Sequence, residues 1–141
     1  MATFQKALTF TQALGRGKHN FQSSTYKVAL TNSAYSTSWA ALGDISQISA
    51  GNGYTAGGNA VAYVSDGTTA GVYRPIFGDP ADWVASGGNI GPFRTAVLYN
   101  DTSAGKEVVG GWDNGSSITL TDGGDPFRVD MSQVNGVLTI T

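Results

Sequence analysis

The chain has 141 residues, a formal net charge of −2 and no cysteine. That length suits one domain with its own core; the missing cysteine removes disulfides, thiolate chemistry and Cys-based zinc sites, and the near-neutral balance without a Lys/Arg run leaves no footprint for nucleic acid. Hydrophobic residues make up 40% and charged residues only 13%, about half the usual charged share, so much of the surface must be Ser, Thr, Asn, Gly and small apolar groups, a surface suited to being covered in an assembly.

The N-terminal residues lack an apolar signal core, and no later stretch approaches the roughly 20 apolar residues of a membrane span. The expectation is synthesis and folding in the cytosol, with no membrane partner. Residues 1–23 read either as an N-terminal arm or as the first element of the domain. Within them Phe4, Ala7, Leu8, Thr11 and Leu14 fit a helical stripe, while the Thr/Phe alternation fits a strand.

From residue 24 onward the rhythm is short alternating or β-branched segments separated by Gly, Asn and Asp turns, the pattern of antiparallel sheet. Residues 24–31 place Tyr26, Val28 and Leu30 on one face and predict a strand. Residues 33–42 read as a loop with one helical turn, ended by Gly43. The Gly-rich stretch 51–58 reads as a long exposed loop. Residues 59–65 and 70–77 form a predicted hairpin turning at Asp66-Gly67, with Pro75 placing the second strand at an edge or a bulge.

Residues 92–99 carry apolar groups on both faces and form the predicted core strand. Two half-buried strands follow, 115–121 and 126–131, joined by Asp122-Gly123-Gly124-Asp125. Asn135-Gly136 leads to a last strand, 137–141, closing a meander. The fold expected is all-β: a single compact antiparallel β-sandwich or barrel-like domain over 24–141, with long Gly-rich loops and an N-terminal arm.

The chemistry-bearing residues are sparse. Gly51-Asn52-Gly53-Tyr54-Thr55-Ala56-Gly57-Gly58 misses the dinucleotide-binding spacing by one and precedes a strand rather than a helix, so it reads as structural. His19 is the only histidine, which removes a His-based metal cluster within one chain, and the serines lack a nucleophile-elbow pattern. Asp79, Asp82, Asp113, Asp122 and Asp125 sit mostly beside Gly, Pro or Asn, where turn duty accounts for them. Asp122 to Asp125 also lacks the oxygen density of a calcium loop. No cofactor, metal or catalytic activity is expected. Two sequons, at Asn100 and Asn114, are incidental without secretion. Trp39, Trp83 and Trp112 are candidate oligomer-interface or core anchors, since aromatic side chains bury large areas in both settings.

Several strings carry a resemblance: Lys27-Val28-Ala29-Leu30-Thr31-Asn32, the Gly-rich Ile48 to Gly58, Gly87 to Arg94, Ala96 to Thr102 and Gly115 to Leu120. Together they resemble a family of small tailed-bacteriophage proteins similar to capsid decoration, or cement, proteins. The resemblance runs from about residue 18 to the end. It implies a virion protein on the outer capsid surface, often a homotrimer at three-fold positions, whose partners are the major capsid protein and copies of itself. It implies no active site. The alternative is a tail or head-fibre component that binds a receptor glycan, favoured if the tryptophans line an exposed cleft. For the capsid reading, residues 2–23 are the candidate grip, with Phe4, Leu8 and Phe10 supplying buried area against the shell.

Overall fold

The computed structural model describes residues 2–141. Seven strands and one short helix follow in chain order: β1 (Phe4–Lys6), α1 (Phe10–Gly15), β2 (Tyr26–Thr31), β3 (Asn59–Val61), β4 (Tyr63–Thr69), β5 (Val72–Phe77), β6 (Ile90–Asn100) and β7 (Val108–Leu120). They form two antiparallel sheets. One has five strands in the order β1-β7-β6-β2-β3, and the other is the β4-β5 hairpin. The all-β class expected from the sequence is therefore what the chain adopts, as an open layered arrangement without a closed barrel.

β6 lies at the centre of the large sheet, and its sequence explains why. Residues Thr95 to Asn100 are all buried, so every side chain on both faces needs a cover. β2 pairs along one edge, from Tyr26↔Asn100 to Thr31↔Thr95, and β7 along the other. One face, with Tyr26, Val28 and Leu98, lies under the β4-β5 hairpin, whose Phe77 ring stands 5.4 Å from Tyr26. The opposite face lies under the long segment between β2 and β3. There the Tyr99 hydroxyl donates to the Gly57 carbonyl at 2.6 Å, and Thr31 Oγ1 donates to the Ser46 carbonyl, also at 2.6 Å.

β7 extends further toward its N-terminal end than the expected strand 115–121, because Gly110 and Gly111 are pairing positions, not breakers. A Cβ at Gly110 would overlap the Phe4 ring, and one at Gly111 would sit 2.9 Å from the Tyr35 ring. Missing side chains let aromatic rings press onto β7 from opposite faces. This is a sheet position where glycine marks close approach.

The ambiguous segment 3–15 contains both elements in succession, strand then helix. β1 pairs with β7 through Phe4↔Trp112, Gln5↔Gly111 and Lys6↔Gly110, and Ala7, Phe10, Ala13, His19 and Phe21 are buried. So residues 2–23 are built into the domain as its first element, and no separate arm projects from it. Burying Phe10 and Phe21 stabilises the docked position by roughly 1.5–3 kcal/mol per side chain.

Other expectations are corrected by the ladder. The hairpin turns at Ala70-Gly71, both at positive φ, and Asp66-Gly67 lies within β4 opposite Pro75 and Arg74. A turn at Asp66-Gly67 would have set Ser65 opposite Thr68; the turn at Ala70-Gly71 instead gives the Thr68↔Tyr73 and Thr69↔Val72 pairs. Residues 126–131 and 137–141 do not form strands. Each makes a single bridge, Phe127 with Trp83 and Ile140 with Tyr73, although Val129, Met131 and Leu138 are buried. The alternation there reflects an extended chain packed on the core. The expected turn near Gly43 is a 3-10 turn, Leu42–Asp44, which contains that glycine.

The Gly-rich stretch 51–58 is also less exposed than expected. Tyr54 is buried, and Gly58 packs directly on the β2 backbone at Val28 and Ala29.

Candidate functional site: the exposed surfaces

The six side chains singled out in the sequence do not meet at one place. Phe10 is 1% exposed and packs with His19 and Phe21. Its surface is committed to the core, so in this fold it is not available to a shell. Phe4 is half-buried, edge-on to Trp112 at 4.9 Å between ring centroids. Leu8 alone of the proposed grip stands out, at 74% exposure. Of the tryptophans, Trp83 and Trp112 are core residues. Trp39 is half-buried with its ring edge-to-face on Tyr35 at 5.5 Å.

Ionisable groups serve the fold. Asp113 accepts Arg94 Nε at 2.7 Å, the Gly115 amide at 2.8 Å and the Tyr35 amide at 3.0 Å; the Arg94 contact holds its carboxyl below the ordinary range. Asp101 is held low first by Lys106 and then by Lys27. Asp79 and Asp122 accept the backbone amides of Met131 and Gly87, which lie far along the chain, so these carboxylates tie distant segments together where the sequence suggested local turn contacts. Asp82 differs: it pairs with Arg128, whose Nη2 lies 2.8 Å away.

His19 is buried among Phe10, Phe21 and Tyr26, stacked on Phe21 at 6.1 Å. Its Nδ1 is 3.4 Å from the Tyr26 hydroxyl, and its Nε2 is buried without a hydrogen-bond partner. Burial pushes its pKa down, while the Glu107 carboxylate acts in the opposite direction. The hydroxyl that faces Nδ1 is the Tyr26 phenol, which burial holds in its neutral form. Among the described residues no group of three or more His, Cys, Asp or Glu side chains is placed to hold a metal ion.

The surface depressions with polar groups in their walls include one lined by Trp112, Arg94 and Asn114 and two larger ones. Of the larger two, one, about 170 Å³, lies beside α1 between Gln12, Arg16, Lys18 and Glu107. The other, about 200 Å³, lies on the β4-β5 hairpin, with Arg74 in its wall and Ser65, Asp66, Gly67, Thr69 and Val134 around it. Sequence reasoning missed this second groove. The signal was present as a polar strand, Ser65 to Thr69, followed by one arginine in an otherwise apolar β5. The misplaced turn hid it by putting Gly67 at a bend.

No family model matches this chain, and neither the curated proteins nor the solved structures contain a match to it.

Proposed function

We propose that this chain is a non-enzymatic structural protein of a tailed-phage virion, bound to the outside of the assembled capsid at inter-capsomer three-fold positions, where it stabilises the head. The observation that carries the reading is where the family-like strings fall. Lys27–Thr31 lies on β2, the Gly-rich string packs onto that strand at Gly58, Ala96–Asn100 is the buried half of β6, and Gly115–Leu120 closes β7. The resemblance thus concerns the residues that make the fold. The charge-poor surface and the structural employment of the aspartates agree with a passive assembly component.

The mechanism is repeated modest contact. A symmetric oligomer, a homotrimer in this reading, engages equivalent patches of the major capsid protein, and each contact after the first is made at high effective concentration. A protein that binds only the assembled shell stabilises it by about 2.7 kcal/mol per site at a free concentration 100 times the dissociation constant. The glycan-binding fibre alternative is less favoured, since Trp83 is fully buried, Trp39 is half-buried and Trp112, which lines a pocket of only about 30 Å³ beside Phe127, is 5% exposed.

Microscopy of virions made with and without this gene product tests the reading. Additional density at three-fold positions and earlier heat rupture of the undecorated heads are expected. Density confined to the tail, or heads unchanged in appearance and heat resistance, would overturn it.

A further inference from the structure

The β4-β5 hairpin has one strand whose outer edge has no partner. β4 pairs only with β5, and its residues Val64 to Thr69 are all exposed. Edge strands of this length are usually guarded by lysine, proline or a covering loop. β4 has neither lysine nor proline, its one register shift falls between Tyr63 and Ser65, before the stretch Ser65 to Thr69, and its one charged side chain, Asp66, accepts the Tyr73 hydroxyl at 2.8 Å.

The two faces of the hairpin differ in charge. The register pairs Ser65 with Ile76, Gly67 with Arg74 and Thr69 with Val72, so these six share one face by strand alternation. Asp66 and Tyr73 share the other. Arg74 therefore has no carboxylate on its own face of the hairpin. Ion pairs among the described residues involve Lys27, Lys106, Arg94 and Arg128, not Arg74. Its Nε is buried with no hydrogen-bond partner. Across from it, a Cβ on Gly67 would meet nothing within 4 Å. The groove of about 200 Å³ opens there, walled by Val72, Ile76 and Val134; Asp66 also lines it, with its carboxylate engaged by the Tyr73 hydroxyl.

We propose that this edge is a docking site for an extended polypeptide strand carrying an Asp or Glu side chain. The added strand would hydrogen-bond to the open edge of β4. Its carboxylate would cross the notch at Gly67 and pair with the Arg74 guanidinium, and the Ser65 and Thr69 hydroxyls would complete the polar contacts. Main-chain pairing gives affinity in such sites and the side-chain pocket gives selectivity; a guanidinium is the matching group for a carboxylate. An acidic sugar is disfavoured because the groove has no aromatic platform. The site goes beyond capsid decoration, and its test needs no virion, so the two readings fail separately.

The experiment uses the full chain labelled with ¹⁵N and two synthetic probes, the capped peptide Thr-Val-Glu-Val-Thr and its Gln counterpart, followed by amide and arginine Nε shifts. The Glu peptide is expected to move the amides of residues 64–69 and the Arg74 Nε resonance. The Gln peptide, and the Glu peptide on an Arg74→Gln variant, are expected to bind about tenfold more weakly, the size of one charge-assisted hydrogen bond. Gly67→Val, which fills the notch in a residue type suited to strands, should abolish the preference for Glu while leaving the rest of the spectrum in place. Equal binding of the two peptides, or no shift at residues 64–69, would overturn the proposal. So would concentration-dependent shifts of these amides without peptide, which would assign the edge to a second copy, or tighter binding of glucuronate than of the Glu peptide.

Discussion

The Tyr54 hydroxyl accepts the backbone amide of Leu30 at 3.1 Å and donates to Gln47 Oε1 at 2.9 Å. β3 pairs with β2 only from Tyr26 to Val28, so Leu30 lies beyond the end of that ladder. The Tyr54 phenol takes the place of the missing strand, and the Ile48 amide satisfies the Leu30 carbonyl at 3.1 Å. Removing the hydroxyl as Tyr54→Phe leaves a buried amide without an acceptor, which costs about 1–3 kcal/mol. Denaturant unfolding should show a lower midpoint with an unchanged slope. A midpoint equal to the parent would mean that water replaces the phenol.

Gly58 gives a sharper contrast. It sits at φ +78°, and a Cβ there would overlap the Val28 carbonyl oxygen and approach Ala29 Cα to 2.8 Å. These are backbone atoms of the central sheet and cannot swing aside. Gly58→Ala is expected to unfold the chain or lower its stability by several kcal/mol, above the roughly 1–2 kcal/mol of left-handed strain alone. Gly43→Ala, where a Cβ meets nothing, should leave the unfolding free energy within about 0.5 kcal/mol of the parent. Similar behaviour of the two variants would contradict the packing of the Gly-rich loop on β2.

His19 makes stability depend on pH in a defined window. Its folded pKa lies below the ordinary 6.5 because burial penalises the cation. The unfolded chain therefore takes up the proton first, and stability that is complete above about pH 6.5 declines as the pH falls through that value. The carboxylates held low by Arg94, Lys106 and Lys27 add their own loss only near and below their ordinary 3.8. Melting measured between about pH 7.5 and 5 thus isolates the histidine. His19→Gln should flatten the curve in that interval. An equal decline in this variant would assign the effect to another group.

The N-terminal residues separate folding from binding. Phe10→Ala empties a fully buried site and is expected to cost about 3–5 kcal/mol. Leu8→Ser, on a side chain 74% exposed, should melt like the parent. If residues 2–23 contribute to capsid contact, Leu8→Ser is the variant that weakens co-sedimentation with undecorated heads while remaining folded. Loss of stability from Leu8→Ser, or none from Phe10→Ala, would contradict the docked position of α1.

Much of the sheet was legible because its signals are local. Alternation alone locates β2, and the doubly apolar run from Phe93 to Tyr99 locates the central strand. What alternation cannot reveal is whether an extended segment finds a ladder partner. Val129 and Met131 alternate like strand residues and are buried like them, yet only Phe127 pairs, with Trp83. Gly110-Gly111 are the reverse case: they pair within β7, ahead of the expected strand 115–121, and nothing local in the sequence shows that Phe4 and Tyr35 lie against them. The hairpin groove was illegible for a third reason. Its meaning depends on register, and moving one turn from Asp66-Gly67 to Ala70-Gly71 places Arg74 opposite a residue without a side chain.

The pairing of Phe4 with Trp112 also sets an order of events during synthesis. β1 leaves the ribosome well before β7, so the edge that receives it does not exist when it emerges. Until β7 follows, Ala7, Phe10 and Ala13 have no complete surface to cover them. Contacts so distant along the chain form slowly, and apolar segments that wait for them are the ones that associate wrongly. A nascent chain stopped before Val108 would keep these residues in water, exposed to chaperones or to other unfinished copies. The β6-β7 hairpin, by contrast, joins neighbours across one short loop and can close as soon as it emerges, so the last strand to appear is the one that retrieves the first.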